Sequence, residues 1–195
     1  MHKILQLAED NQQRARQVIK ESGVIEAWLS IGATINLVGS LNMGLLMKHR
    51  DIDFHIYTDK LSVAESYAAI AQLAQNPHIC RVTYANLLTE PDSCLEWHAW
   101  YREENGDEWQ IDMMHILKGS AYDGYFEKVA ERIRSIITPE QRLTVLTLKY
   151  QTPEDVKIMG IEYYLAVIRD GVLTFDEFML WRRNNPLPPI IEWLP

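Results

Sequence analysis

Two carboxylates lie on one face of a strand predicted at residues 51–57. Because successive side chains of a strand point to opposite faces, Asp51 and Asp53 share a face with His55 and Tyr57, and the apolar residues between them form a core face. Carboxylates this close repel each other unless a hard cation lies between them, and Mg²⁺ is held by one or two carboxylates together with substrate phosphates. The strand therefore predicts a divalent-metal site.

A glycine-serine pair precedes this strand, and ten residues separate Ser40 from Asp51. Because Gly39 has no Cβ, the backbone N–H groups of this turn can approach a phosphate closely. Lys48 and Arg50 stand directly before the carboxylates. They either offset phosphate charge or are solvated loop charges, and the sequence favours neither alternative. The turn predicts a phosphate site beside the metal site.

A third acid, Asp112, lies on a predicted strand at residues 108–116 in which apolar and polar residues alternate. A second strand precedes it, and Asn105-Gly106 between the two is a hairpin turn signal. Asp112 therefore projects from the polar face of a hairpin strand that can pair beside the strand of Asp51. Three carboxylates are expected in one site.

This order of a Gly-Ser turn, an Asp-x-Asp strand and a later strand aspartate resembles the nucleotidyltransferase superfamily, which includes polymerase-beta-like enzymes and antibiotic adenylyltransferases. The segment Lys48–Asp53 is similar to the one carried by lincosamide and some aminoglycoside nucleotidyltransferases. The motifs cover residues 37–54 and 109–114. For the C-terminal third, the resemblance implies only a helical region.

The resemblance implies roles for the site residues. Asp51 and Asp53 become the ligands of Mg²⁺ or Mn²⁺, and Gly39 with Ser40 contacts the β or γ phosphate of a nucleoside triphosphate. Asp112 either completes a second metal site or acts as the general base, and the sequence does not separate these roles. All three acids are therefore expected to be catalytic.

The implied reaction moves a nucleoside monophosphate, AMP from ATP, to a hydroxyl of a small-molecule acceptor such as an antibiotic. Two alternatives remain open. In the first, the chain is a catalytically silent nucleotide-binding or antitoxin-like module. In the second, it is an enzyme that adenylylates proteins. The donor nucleotide, the acceptor and the oligomeric state cannot be read from the residues.

Five residues outside these motifs have two interpretations each. Lys118 and Lys149 are further phosphate candidates, although a surface position is favoured for both. His55 is favoured as a hydrogen-bonded structural histidine over a functional one. Tyr163 and Tyr164 either stack on a base or acceptor or belong to the core, and the core is favoured.

Composition and charge restrict the partners. The chain has 19 basic and 27 acidic residues, which argues against a long nucleic acid as partner. The acidic window at residues 90–108 either attracts a cationic acceptor or charges a hairpin edge against strand pairing. No apolar run long enough for a bilayer and no signal-peptide core are present, so we expect a cytoplasmic protein without a membrane partner.

The chain is expected to be an α+β protein with a mixed sheet flanked by helices. Residues 1–117 are expected to form a nucleotidyltransferase-like catalytic domain, and residues 118–195 a helical domain with a Pro-rich tail that docks across the body. A first helix is predicted at residues 9–31 with a break at Gly23. Capping signals predict helix starts at Ser62, Thr138, Thr152 and Thr174.

Overall fold

The structure is a computed structural model that describes residues 2–91, 93–188, 191 and 193–195. Its sheet has the strands β1 (Thr34–Leu37), β2 (Asp51–Thr58), β3 (Ile79–Asn86), β4 (Cys94–Arg102) and β5 (Glu108–Leu117). In the sheet these lie in the order β1-β2-β5-β4-β3, and only the β2–β5 pair is parallel. The predicted α+β class with a mixed sheet is confirmed.

The β4–β5 hairpin turns at Asn105-Gly106, as the turn signal predicts, and Gly106 has a φ of 90° that favours glycine. The hairpin sets its second strand beside β2, so that Asp53 and Asp112 are directly opposite each other. The expected pairing of the strand of Asp112 with the strand of Asp51 is confirmed.

The helices are α1 (His2–Ser22), α2 (Val24–Leu29), α3 (Gly39–Asn42), α4 (Val63–Leu73), α5 (Tyr125–Ile136), α6 (Pro139–Gln151), α7 (Gly160–Tyr164) and α8 (Phe175–Asn184). A π-helical turn at Leu165–Arg169 continues α7. The first helix begins at His2 rather than at residue 9, and Gly23 separates it from α2. The caps at Ser62, Thr138 and Thr174 are confirmed, because each side-chain hydroxyl oxygen accepts a hydrogen bond from the backbone N–H three residues later.

The helix predicted to start at Thr152 is wrong. The Thr152 hydroxyl bonds to the carbonyl of Leu148 at 2.9 Å and to the hydroxyl of Tyr163 at 2.7 Å, so it closes α6 instead of capping a new helix. The next helix begins only at Gly160. A side chain already engaged in the preceding helix is not available to cap the next helix.

The core lies mainly on the side of the sheet opposite the carboxylates, where α1, α2 and α4 contribute to it. Fully buried large side chains there include Trp28, Ile52, Trp97, Trp109 and Ile111. Each such side chain stabilises the fold by about 1.5–3 kcal/mol relative to an exposed position. This side of the sheet is consequently structural, and the other side is available for chemistry.

A second apolar cluster joins Leu45 to the helices α5 to α8. Ile191 and Trp193 of the tail pack against it, whereas Leu194 is half exposed. The docking of the tail is thus confirmed for these two residues, and Ile190 lies outside the described residues. The division of the chain at residue 117 stays a prediction. In the described part of the chain, no helix is both long and apolar enough to cross a bilayer.

Candidate active site

A cavity of about 950 Å³ lies between the carboxylate face of the sheet and the C-terminal helices. Among the residues that line it are Gly39, Ser40, Asp51, Asp53, Asp112 and Lys149. Arg50 lines the cavity as well, so the structure brings together six residues that the motifs predicted, and Lys149 of α6 joins them.

The three acids lie side by side in this cavity. Asp53 and Asp112 are opposite each other on adjacent strands, which are about 4.8 Å apart, and Asp51 lies two residues before Asp53 on the same face. Burial, with the negative charges of Asp51 and Asp112, raises the pKa of Asp53 to about 7. Burial also raises the pKa of Asp51. A cation beside Asp51 and Asp53 would therefore stabilise their ionised forms.

These residues fit Mg²⁺ or Mn²⁺. Among the described residues, no three His, Cys, Asp or Glu side chains form a ready-made metal cage. Mg²⁺ does not require such a cage, because it keeps several waters and takes its remaining ligands from one or two carboxylates and from substrate phosphates. Asp51 and Asp53 supply two carboxylates that face the cavity.

Gly39 is required by the acid that it faces. It has a φ of 64°, and a Cβ added there would lie 1.8 Å from Oδ2 of Asp53. The backbone N–H of Ser40 donates to the same carboxylate. The turn was predicted to contact phosphate, and this contact stays a prediction. The structure shows that the turn also fixes the position of Asp53.

The two basic residues of the motif occupy different positions. Nζ of Lys48 donates to the carbonyl of Tyr150 at 3.0 Å on the surface, and Lys48 is not among the cavity residues. Arg50 does line the cavity, but its guanidinium is paired with Asp107 at 2.7 Å. The structure thus favours the surface alternative for Lys48.

Lys149 is buried, although a surface position was favoured from the sequence. Its Nζ donates to the carbonyl of Leu45 at 3.0 Å and to the hydroxyl of Tyr164 at 3.2 Å. Burial lowers its pKa to about 8, against the opposing attraction of Asp51 and Asp53. At neutral pH the side chain is therefore a cation beside the acids. Lys118, by contrast, pairs with Asp59 at the surface.

We expect Lys149→Met to raise the KM for a nucleoside triphosphate about 10- to 100-fold. A hydrogen bond from a charged donor is worth about 1.5–3 kcal/mol, and no other buried lysine is present in the described part of the chain. Initial rates against triphosphate concentration measure the effect. Lys48→Met is the matched control. An equal rise in KM in both variants would show that the buried position of Lys149 does not contribute to triphosphate binding.

A hydrogen-bond network holds Asp112. Its Oδ1 accepts from Nδ1 of His98 and, at 2.8 Å, from Nε2 of Gln110, while Nε2 of His98 donates to Glu96 at 2.8 Å. The bond to Asp112 is the largest of the contacts that raise the pKa of His98 to about 9. The ring is therefore an imidazolium at neutral pH and donates from both nitrogens. Sequence reasoning missed this role of His98, although hairpin pairing places it opposite Asp112.

His55 has the structural role that the sequence favoured. Its Nδ1 lies 3.3 Å from the hydroxyl of Tyr57, which in turn donates to Glu127 at 2.8 Å, and its ring packs edge-on against Phe126. Burial lowers its pKa to about 4, so the ring is neutral at neutral pH. These contacts attach α5 to the sheet.

Solved structures with similar folds include a poly(A) polymerase and RNA terminal uridylyl transferases. The poly(A) polymerase complex GLD-2–GLD-3 matches with a TM-score of 0.56 and 11% identity, over 86% of this chain and 58% of that one. A cytoplasmic RNA terminal U-transferase matches with a TM-score of 0.54 and 12% identity, over 85% and 51%. Cid1, described by its RNA terminal uridylyl transferase activity, matches with a TM-score of 0.53 and 13% identity, over 86% of this chain and 52% of that one. The chain has a nucleotidyltransferase fold.

The chain spans a little over half of the length of these structures. No protein-family model matches the sequence, and no curated protein matches it. The comparisons therefore support the fold that the motifs predicted. They do not confirm the nearer similarity to lincosamide and aminoglycoside enzymes.

Proposed function

We propose that this chain is a divalent-metal-dependent nucleotidyltransferase that moves a nucleoside monophosphate, AMP from ATP, to an acceptor hydroxyl. The observation that carries the proposal is the convergence of three carboxylates and one buried lysine in a single cavity. A triphosphate brings the negative charge that Lys149 and a metal neutralise. Solved structures with this fold include RNA terminal transferases, which supports the reaction class.

The position of each residue in the cavity suggests its role in the reaction. Asp51 and Asp53 would hold the metal, which stabilises the attacking and leaving oxygens of a phosphoryl transfer. Lys149 would bind the phosphates on the side of β2. The acceptor oxygen attacks the α-phosphorus, the bond to the bridging oxygen breaks, and pyrophosphate leaves. Asp112 receives the acceptor proton or holds a second metal, and both roles stay open.

A small molecule is our first candidate for the acceptor, since the chain carries eight more acidic than basic residues, 27 against 19. An RNA 3′ hydroxyl is the second candidate, and the similar RNA-terminal transferases favour it. The acidic window no longer supports a cationic acceptor. Four of its acids are engaged by basic side chains within the protein: Glu96, Glu103, Asp107 and Glu108.

A thermal-shift titration tests the site. We expect a nucleoside triphosphate with Mg²⁺ or Mn²⁺ to raise the melting temperature, because ligands that bind only the folded state stabilise it by mass action. Each of the four triphosphates is tested at low salt, with and without metal. If none shifts the transition with either metal, the proposed site is wrong.

The competing function is a silent nucleotide-binding module. It predicts the same thermal shift without any release of pyrophosphate. The presence of all three carboxylates favours the enzyme, because a module that only binds nucleotide does not need mutually repelling acids. Protein adenylylation differs from the leading proposal only in its acceptor, so a panel of acceptors decides between them.

A further inference from the structure

The carboxylate face of the sheet continues beyond the cavity onto β4 and β3. Cross-strand register places His98 beside Asp112, Trp100 beside Gln110, and Arg81 beside Trp100. Gln110 lines the cavity, so this surface begins where the cavity wall ends. We call the surface formed by Arg81, Trp100 and Thr83 the β3–β4 platform.

The platform is open, in contrast to the other side of the same strands. Arg81 and Thr83 are exposed and Trp100 is partly exposed. The alternate residues of β4 are almost completely buried in the core: Leu95, Trp97, Ala99 and Tyr101. On the carboxylate face, the C-terminal helices thus cover the part that forms the cavity, and the part formed by β3 and β4 is accessible beside the acids.

Arg81 and Trp100 form a preassembled stack. The guanidinium carbon of Arg81 lies 3.5 Å from the centre of the Trp100 ring. In the described part of the chain Arg81 has no ion pair within 4.0 Å, and its acidic neighbour Glu108 is held by Arg102 at 2.7 Å. An arginine stacked on one face by an indole can stack a second planar ring on its other face.

The geometry of in-line attack in the proposed reaction would place the acceptor on the side of the acids where the platform lies. Gly39, Ser40 and Lys149 lie on the β1–β2 side of the acids, so the triphosphate tail belongs there. Attack on the α-phosphorus comes from the side opposite the leaving pyrophosphate. That side runs from Asp112 across β4 to β3.

We propose that the β3–β4 platform binds the acceptor and that the acceptor carries a planar aromatic ring near its reacting hydroxyl. Two observations support this occupant. The guanidinium plane of Arg81 is exposed and has no ion pair among the described residues, and the platform continues directly from the cavity. This inference rests on the proposed function for its direction. The binding of a ring to the platform can nevertheless be measured without nucleotide, metal or turnover.

The test uses two sugars that differ only in one ring. Phenyl β-glucoside has a planar ring, and cyclohexyl β-glucoside has a puckered ring with the same hydroxyls. Each is titrated into ¹⁵N-tryptophan-labelled full chain, and the indole N–H signal of Trp100, assigned with Trp100→Phe, reports binding. We expect the phenyl sugar to bind about two- to fivefold more tightly, as a cation–π contact at an exposed site predicts.

The preference should disappear in Arg81→Leu and remain in Arg16→Leu, which removes an exposed arginine of α1. Unfolding curves of both variants show that each is folded. If the phenyl and cyclohexyl sugars move the Trp100 signal equally, or neither moves it, the pair is only a cross-strand contact and the proposal is wrong. Failure of turnover with intact ring binding would instead contradict the proposed function.

Discussion

Asp53→Asn is expected to reduce nucleotidyl transfer by more than about 10²-fold while making the metal-free protein more stable at pH 8. Mutation of a residue that only hydrogen-bonds to a metal ligand lowers metal affinity or activity about 10- to 100-fold, so loss of a direct ligand should lower activity at least as much. The amide keeps the size of the carboxylate and its bond from Ser40. It removes the negative charge that burial, Asp51 and Asp112 destabilise at Asp53.

The gain in stability should depend on pH. The pKa of Asp53 is raised to about 7 in the folded protein, so the folded state binds this proton more tightly than the unfolded chain does. The native protein therefore loses stability relative to the variant as pH rises from about 4 to 7. Three pH units correspond to about 4 kcal/mol, and allowance for solvent screening reduces the expected effect to roughly 1–2 kcal/mol.

Denaturant unfolding of both proteins at pH 4 to 8 measures this difference. Asp59→Asn is the matched control, since Asp59 follows the same strand and its side chain is 88% exposed. It should leave activity and stability unchanged. An Asp53→Asn protein that retains activity, or that is less stable at pH 8 than at pH 4 relative to the native protein, would contradict the mutual repulsion of these acids.

Gly39→Ala is expected to destabilise the protein and to abolish activity together. The new methyl group would overlap Oδ2 of Asp53, and the φ of 64° adds strain for any residue with a Cβ. Gly32→Ala separates the two effects, because Gly32 has a φ of 74° and nothing within 4 Å of its Cβ position. Both variants carry about 1–2 kcal/mol of backbone strain.

The difference between the two variants therefore reports the overlap with Asp53. Activity at saturating triphosphate should survive in Gly32→Ala and be lost in Gly39→Ala. Unfolding curves and initial rates of both proteins give the result. Equal loss of stability, with activity retained in both, would show that the contact between Gly39 and Asp53 does not position the acid.

Part of the carboxylate cluster was predictable from local signals. Alternation along β2 places Asp51 and Asp53 on one face, and the hairpin signal at Asn105-Gly106 places Asp112 on the polar face of β5. The pairing of β5 with β2 is long-range and was expected from the resemblance to nucleotidyltransferases. The fold class followed from the same patterns, together with the helix caps.

The remaining parts of the site depend on long-range packing. Lys149 is buried because its Nζ reaches the carbonyl of Leu45, 104 residues away, and nothing around Lys149 in the sequence indicates that contact. Thr152 carries a capping pattern that a contact with Tyr163 overrides. Lys48 was a phosphate candidate because it adjoins the acids in sequence, whereas its Nζ bonds to the carbonyl of Tyr150 at the surface.

The most direct test follows the label of ATP through the reaction. The native protein, Asp53→Asn and Asp112→Asn are incubated with Mg²⁺ and ATP labelled at the α or the γ phosphate. The acceptors are phenyl β-glucoside, aminoglycosides, lincosamides, proteins and short RNA. We predict that the α label joins an acceptor, that the γ label leaves as pyrophosphate, and that Asp53→Asn does neither. Triphosphate binding by all three proteins, without pyrophosphate release with any acceptor, would contradict the enzyme and favour a silent binding module.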